Sequence, residues 1–274
     1  MPAYPPPRES DGFRMRPNLR TLPAGTELWR CHRTGRPGAG FNPVPADSHF
    51  GGSRFDGTVA DPYSFLYAAP EPATALAEVL LRAMPFDADT GMRLVPYRAV
   101  AQRSLTALHT TADLCLVELI TEEDLAAVCQ DSWLLETEGP GYAQTRRWAT
   151  ELRSRVPEAQ GLVWQSRRHR PRQALVLFGD RCGEESLKGG SGVTRELDTT
   201  DGVTEVNRLF APLRAAVVPP RPRTGGHVDA AGLHRAVNAV DAVTTANGGG
   251  PNGGAASARG ASRGPGAAEA VGAP

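Results

Sequence analysis

Apolar and polar positions alternate in short runs along the middle of the chain, and glycine and proline set the runs apart. TELWRCHR (residues 26–33) has an apolar, aromatic start and predicts a first strand, followed by a Gly/Pro loop, TGRPGAGFNPVPADS. FGGSRF (50–55) returns the chain through a tight turn in which Gly51 and Gly52 permit positive φ. DPYSFLYAA (61–69) alternates aromatic and small residues as a strand does. PEPATALAEVLLRAM then predicts a helix, with Pro72 in its first turn, an apolar face of Ala75, Leu76, Val79, Leu80 and Ala83, and Pro85 as its stop.

Further on, MRLVPYRAV predicts a short strand interrupted by Pro96, and DLCLVELI (113–120) a clear one. TEEDLAAVC opens with a capping-box pattern, Thr121 with Asp124 three residues on, so a helix follows directly. YAQTRRWATELRSR reads as an amphipathic helix with Ala143, Trp148, Ala149 and Leu152 inward. GLVWQS and ALVLFG are strands on either side of a basic loop, SRRHRPR. Strands and helices mix without regular βαβ alternation, which predicts an α+β domain and not a doubly wound sheet.

Composition bounds this domain. The 274-residue chain ends in a stretch dominated by Gly, Ala and Pro, with too little apolar surface to offset the entropy of ordering it. Residues 216–274 are therefore expected to be a mostly disordered tail, with a short helix over 227–243. Residues 1–25 read as a proline-rich lead-in. One domain over 26–215 remains, about 190 residues and large enough for a single core.

Charge narrows the partners. The formal net charge is zero, so composition gives no general case for nucleic acid. SRRHRPR carries no interleaved aromatics to stack bases and reads first as a solvated loop, so no direct nucleic-acid binding is expected. Cys31, Cys115, Cys129 and Cys182 are scattered without CxxC spacing and are expected to be reduced thiols. No apolar run approaches the ~18 residues of a membrane span and no leader is evident, so the expected location is cytoplasmic.

Several chemistries lack their motif. GxxxxGK[ST], GxGxxG after a strand and HExxH are all missing, and the six histidines show no metal-ligand spacing. No metal site is expected.

The chemically capable groups gather between residues 50 and 79, with Arg30 upstream and Ser166 downstream. Glu78 on its helix is either half of an exposed i,i+4 pair with Arg82, worth ~0.2–0.5 kcal/mol, or a catalytic carboxylate. Arg54 after two glycines is either a turn arginine or, beside free backbone N–H groups, part of an anion site suited to phosphate. Arg30 at the end of a strand needs a partner, a carboxylate or a ligand phosphate. Tyr67 is core or a stacking platform. Ser166 is a turn residue or a ligand contact.

In this order, ELWR, GGSRFDG, FLYAA, TALAEVL, YAQTRRWA, GLVWQSRR and LVLFGDR resemble the RES domain. The resemblance spans about residues 27–181, and the ordered series is far more specific than any one motif. That family is named for its arginine, glutamate and serine and supplies the toxin of Xre–RES toxin–antitoxin pairs. The resemblance implies a single domain like the ADP-ribosyltransferase toxins and an activity that consumes NAD+. Carried over by position, the catalytic residues are Glu78, Arg30 and Ser166, and the NAD-binding residues are Arg30, Arg54, Tyr67 and Ser166. It also implies a helix-turn-helix Xre-type antitoxin as partner. The proline-rich loop over 35–48 and the long tail depart from the family pattern.

The chemistry accords with that assignment. Two arginines can clamp a pyrophosphate by charge-assisted bidentate bonds. Breaking the nicotinamide–ribose bond builds oxocarbenium character that a carboxylate stabilises. NAD+ is then a substrate and no cofactor is required. The acceptor is water or, as co-substrate, inorganic phosphate, and the residues do not choose between glycohydrolase and phosphorylase. Transfer of ADP-ribose to a protein or small molecule, and a non-catalytic NAD-binding module, are the alternatives. Whether the chain forms a homo-oligomer is left open.

Overall fold

Alternation along the strands sorts the apolar side chains onto the two faces of a five-stranded sheet, and each face packs on a different layer. The computed structural model describes residues 15–218 except 48 and 184. Its strands are Leu19–Leu22 (β1), Glu27–Arg33 (β2), Phe65–Ala68 (β3), Arg93–Pro96 (β4), Arg103–Thr110 (β5), Leu114–Leu119 (β6), Gly161–Gln165 (β7), Gln173–Phe178 (β8), Leu187–Glu196 (β9) and Ala215–Val218 (β10). Its α-helices are Pro72–Leu80 (α1), Glu122–Ala127 (α2), Trp133–Glu136 (α3), Tyr142–Arg155 (α4) and Thr200–Phe210 (α5).

The larger sheet has the order β1-β6-β7-β8-β3. Only β6 and β7 run parallel in it, and their connection carries α2, α3 and α4, as a parallel crossover requires. On one face Val117, Leu162, Trp164, Val176 and Phe178 meet Leu125, Trp148, Ala149 and Leu152 of the helices. On the other, Leu66, Val163, Leu175 and Leu177 meet Leu28, Leu108 and Leu187 of a three-stranded sheet, β2-β5-β9. The far face of that smaller sheet, with Leu105, packs with Leu76 and Leu80 of α1, Val206 and Phe210 of α5, and the parallel pair β10-β4. This is the expected α+β architecture.

The local signals behave as their chemistry demands. Thr121 accepts from the Asp124 N–H at 3.2 Å while Asp124 accepts from the Thr121 N–H at 2.9 Å, a complete capping box. Gly51 and Gly52 take φ of +62° and +70°. No helix among the described residues is long and apolar enough to cross a membrane.

Two boundaries differ from expectation. The lead-in assigned to 1–25 contains β1, which pairs antiparallel with β6 although only its Leu22 is buried; backbone pairing needs no apolar side chain. The domain expected to end at 215 continues through β10, whose Val217 is buried in the cluster with α5 and whose Ala216 is buried with Leu94 of β4 and Ala211. Its small residues resemble the composition that follows, and the strand they pair with lies over a hundred residues away. The rest of the tail, with the helix expected over 227–243, and residues 1–14 lie outside the described residues.

Candidate active site

Helix α1 presents Thr74 and Glu78 one turn apart on the same side, and both bind the turn that follows β7. Ser166, fully buried, donates to Glu78 Oε1 at 2.7 Å. The same hydroxyl accepts from the His169 N–H at 3.1 Å, and His169 Nδ1 lies 2.8 Å from Thr74 Oγ1. Ser166 therefore closes its own turn and holds the carboxylate at once. The ion pair of Glu78 with Arg82 does not form, since α1 ends at Leu80 and Arg82 leaves the helical face.

Arg82 instead donates to Ser53 Oγ at 3.1 Å and sets its guanidinium against the Tyr142 ring, 5.5 Å from the centroid. The Arg54 guanidinium lies 5.6 Å from the same ring. Arg54 is 8 % exposed, its Nη2 reaches the Thr137 carbonyl at 3.4 Å, and its Nε has no hydrogen-bond partner among the described residues. Burial lowers its pKa from the ordinary value; Tyr142, Glu78 and Tyr67 counteract this, while Arg82 adds to it. Glu78 and Arg82 thus both stand within electrostatic reach of Arg54.

Helix α4 fixes the turn that carries Arg54. Thr145 Oγ1 donates to the Arg54 carbonyl at 2.7 Å. The buried Arg146 donates to the carbonyls of Asp47, Gly51 and Ser53. The Ser53 N–H goes to Asp56 Oδ2 at 2.7 Å. The glycine turn therefore directs the carbonyls of Gly51 and Ser53 at Arg146, and of the N–H groups expected beside Arg54 those of Ser53 and Phe55 are taken by Asp56 and Tyr67.

Tyr67 faces this group from β3 with its hydroxyl already engaged. It donates to Asp56 Oδ1 at 2.8 Å and accepts from the Phe55 N–H at 2.9 Å. Burial holds its pKa well above the ordinary value. Burial also raises that of Asp56, against the hydrogen bonds from Tyr67 and Ser53. Tyr67, Glu78, Trp164 and Cys31 line a cavity of ≈ 20 Å³, room for about one water molecule.

Arg30 stands apart from that group. Leu28, Arg30 and His32 share one face of β2, while Trp29 and Cys31 occupy the other, and it is Cys31 that lines the cavity with Glu78. Arg30 donates from Nη1 to the carbonyls of Gly38 and Gly40, each at 2.6 Å, and burial beside Arg36 lowers its pKa to about 10. The structure thus groups Glu78, Ser166, Arg54 and Tyr67, with Arg82 and Tyr142 beside Arg54. The i,i+4 spacing of Thr74 and Glu78 and the Ser166–His169 spacing were the available signals for part of this; Tyr142 had only its place at the head of YAQTRRWA.

The basic loop lies against the same region. Arg167 Nη2 and Arg168 Nη2 donate to the Arg82 carbonyl at 3.1 and 2.5 Å, and Arg167 pairs with Glu138 at 2.5 Å. A larger open depression of ≈ 610 Å³ lies elsewhere, between β9 and the start of α5, with Arg195, Glu196, Asp201 and Glu205 in its wall. It contains none of the residues named from sequence, and its mixed charges mark no single ligand.

The RES domain family model matches residues 27–196. No curated protein matches the chain. Among solved structures, the crystal structure of the M. tuberculosis MbcT–MbcA toxin–antitoxin complex aligns at 16% identity and a TM-score of 0.45, over 64% of this chain and 86% of that one. The family match covers the greater part of the sequence, and the chain belongs to the RES-domain family.

Proposed function

We propose that the chain consumes NAD+ by cleaving its nicotinamide–ribose bond and serves as the toxin of a toxin–antitoxin pair. The observation that carries this reading is the Glu78 carboxylate, held by a fully buried serine and close to a buried arginine that is ion-paired with no carboxylate among the described residues. Membership of the RES-domain family supports it.

In this reading Glu78 faces the ribose and stabilises the positive charge that develops as nicotinamide departs. Ser166 positions Glu78 through its 2.7 Å hydrogen bond. Arg54 takes up substrate phosphate. Tyr67 offers its ring and not its hydroxyl, which Asp56 and Phe55 already use. Arg30 acts at a distance by tying down the Gly38–Gly40 backbone. The cavity beside Glu78 is too small for a dinucleotide, so the substrate approaches from the side on which Glu78 remains partly accessible.

The acceptor is water or inorganic phosphate, the site of action the cytoplasm, where NAD+ is available, and the neutralising partner a helix-turn-helix antitoxin of the Xre type. Incubating the purified full chain with NAD+, with and without inorganic phosphate, and resolving products by mass tests the reaction. ADP-ribose formed without phosphate identifies a glycohydrolase, and a phosphate-dependent phosphorylated ADP-ribose identifies a phosphorylase. Absence of NAD+ loss in both conditions overturns the reading.

A further inference from the structure

Two arginines converge on one aromatic ring. Arg54 and Arg82 set their guanidinium carbons 5.6 and 5.5 Å from the Tyr142 centroid. Among the described residues neither is ion-paired with a carboxylate within 4.0 Å. The charge of Arg82 adds to the burial that lowers the pKa of Arg54. Arg54 is buried with its Nε unpartnered, an arrangement that costs free energy unless a ligand completes it. Arg168 adds a third positive charge within electrostatic reach of Glu78, which also acts on Arg54.

We propose that Arg82 and Tyr142 complete, with Arg54, a binding site for a diphosphate group. Tyr142, 4 % exposed, has both guanidinium groups over its ring. Ser53 steers Arg82 from the other side. The free donors of two guanidinium forks then meet the oxygens of two linked phosphates, which a single arginine cannot span bidentately. On the NAD+ reading, on which the identity of the natural ligand rests, this group is the pyrophosphate of the dinucleotide, and Arg82 replaces Arg30 as the partner of Arg54.

The test measures binding of inorganic pyrophosphate to the full chain by titration calorimetry, for wild type, Arg82→Gln, Arg82→Lys and, as control, the exposed Arg98→Ala. The backbone carbonyl of Arg82, and not its side chain, anchors Arg167 and Arg168, so Arg82→Gln keeps the fold, and its melting curve verifies this. The expected result is pyrophosphate binding by wild type, weakened about 10-fold or more in Arg82→Gln, less in Arg82→Lys, and unchanged in Arg98→Ala. With NAD+ as substrate, Arg82→Gln should raise KM more than it lowers kcat. Wild type that fails to bind pyrophosphate, or Arg82→Gln that binds it as wild type does, overturns the proposal. Wild type that binds pyrophosphate through Arg82 yet neither binds nor consumes NAD+ overturns the NAD+ reading and leaves the anion site standing.

Discussion

Ser166 donates its hydroxyl hydrogen to Glu78 Oε1 at 2.7 Å, joining the turn after a central strand to the last turn of helix α1. Ser166 is fully buried and Glu78 is not. The hydrogen bond therefore aims a partly accessible carboxylate from an immobile base. Two groups 88 residues apart in sequence act as one.

Replacing the carboxylate tests its role directly. Glu78→Gln keeps the shape and still accepts from Ser166, but removes the charge. NAD+ consumption should fall by ~100-fold or more, with a melting temperature close to wild type. A variant as active as wild type would remove Glu78 from the mechanism even if NAD+ is consumed.

Ser166→Ala should injure both fold and activity. It leaves the His169 N–H without its acceptor and releases Glu78. Losing a buried partner of this kind costs ~1–3 kcal/mol, measurable by denaturant unfolding. Activity measured well below the melting temperature should still be reduced, because the carboxylate is no longer aimed. Full activity in the folded variant would confine Ser166 to a structural part.

Asp56 makes stability depend on pH in a defined direction. Burial raises its pKa in the folded state above the reference of 3.8. Between those two values the native state keeps a proton that the unfolded chain has lost, so the contribution of this group falls as pH rises through that window. Asp56→Asn can still accept from Tyr67 but carries no buried charge. Unfolding free energies from ~pH 4 to ~pH 7 should shift progressively in the variant's favour relative to wild type. A difference that does not change with pH would show that this burial is without energetic consequence.

Strand β10 sets the limit of truncation. A chain ending at Ala215 loses buried Ala216 and Val217, the parallel pairing with β4, and the 2.8 Å bond from the Val217 N–H to Asn207 Oδ1. Burial of the valine alone is worth ~1.5–3 kcal/mol. The chain ending at 215 should therefore unfold at markedly lower temperature than one ending at 218. Equal melting temperatures would show that the strand contributes nothing.

Trp148 tests the packing under the site. It is 1 % exposed in the core beneath the larger sheet, on the helix whose Thr145 and Arg146 hold the Arg54 turn. Trp148→Ala should cost ~3–5 kcal/mol of stability. NAD+ use should weaken alongside it, read at a temperature where the variant remains folded.

The sequence by itself determined the elements whose signals are local: the helix begun at Pro72, the Thr121–Asp124 capping box, the strand from Leu114, the positive-φ glycines, and the α+β class they imply. Its ordered motifs also brought out Glu78, Ser166, Arg54 and Tyr67, since each stands on or beside a strand, turn or helix that the chain marks with its neighbours. Strands β1 and β10 were not legible, because a strand with one buried side chain, or one made of alanine and valine, exists only through its partner. The tertiary structure alone decided which polar groups meet. Side-chain period 2 turned Arg30 away from Cys31 and from the cavity that Glu78 lines. The end of α1 at Leu80 broke the apparent Glu78–Arg82 pair and sent Arg82 to Tyr142 instead. Such choices depend on chain reversals and distant partners, and a charged side chain reaching several ångströms takes its partner from the folded surroundings, not from its neighbours in sequence.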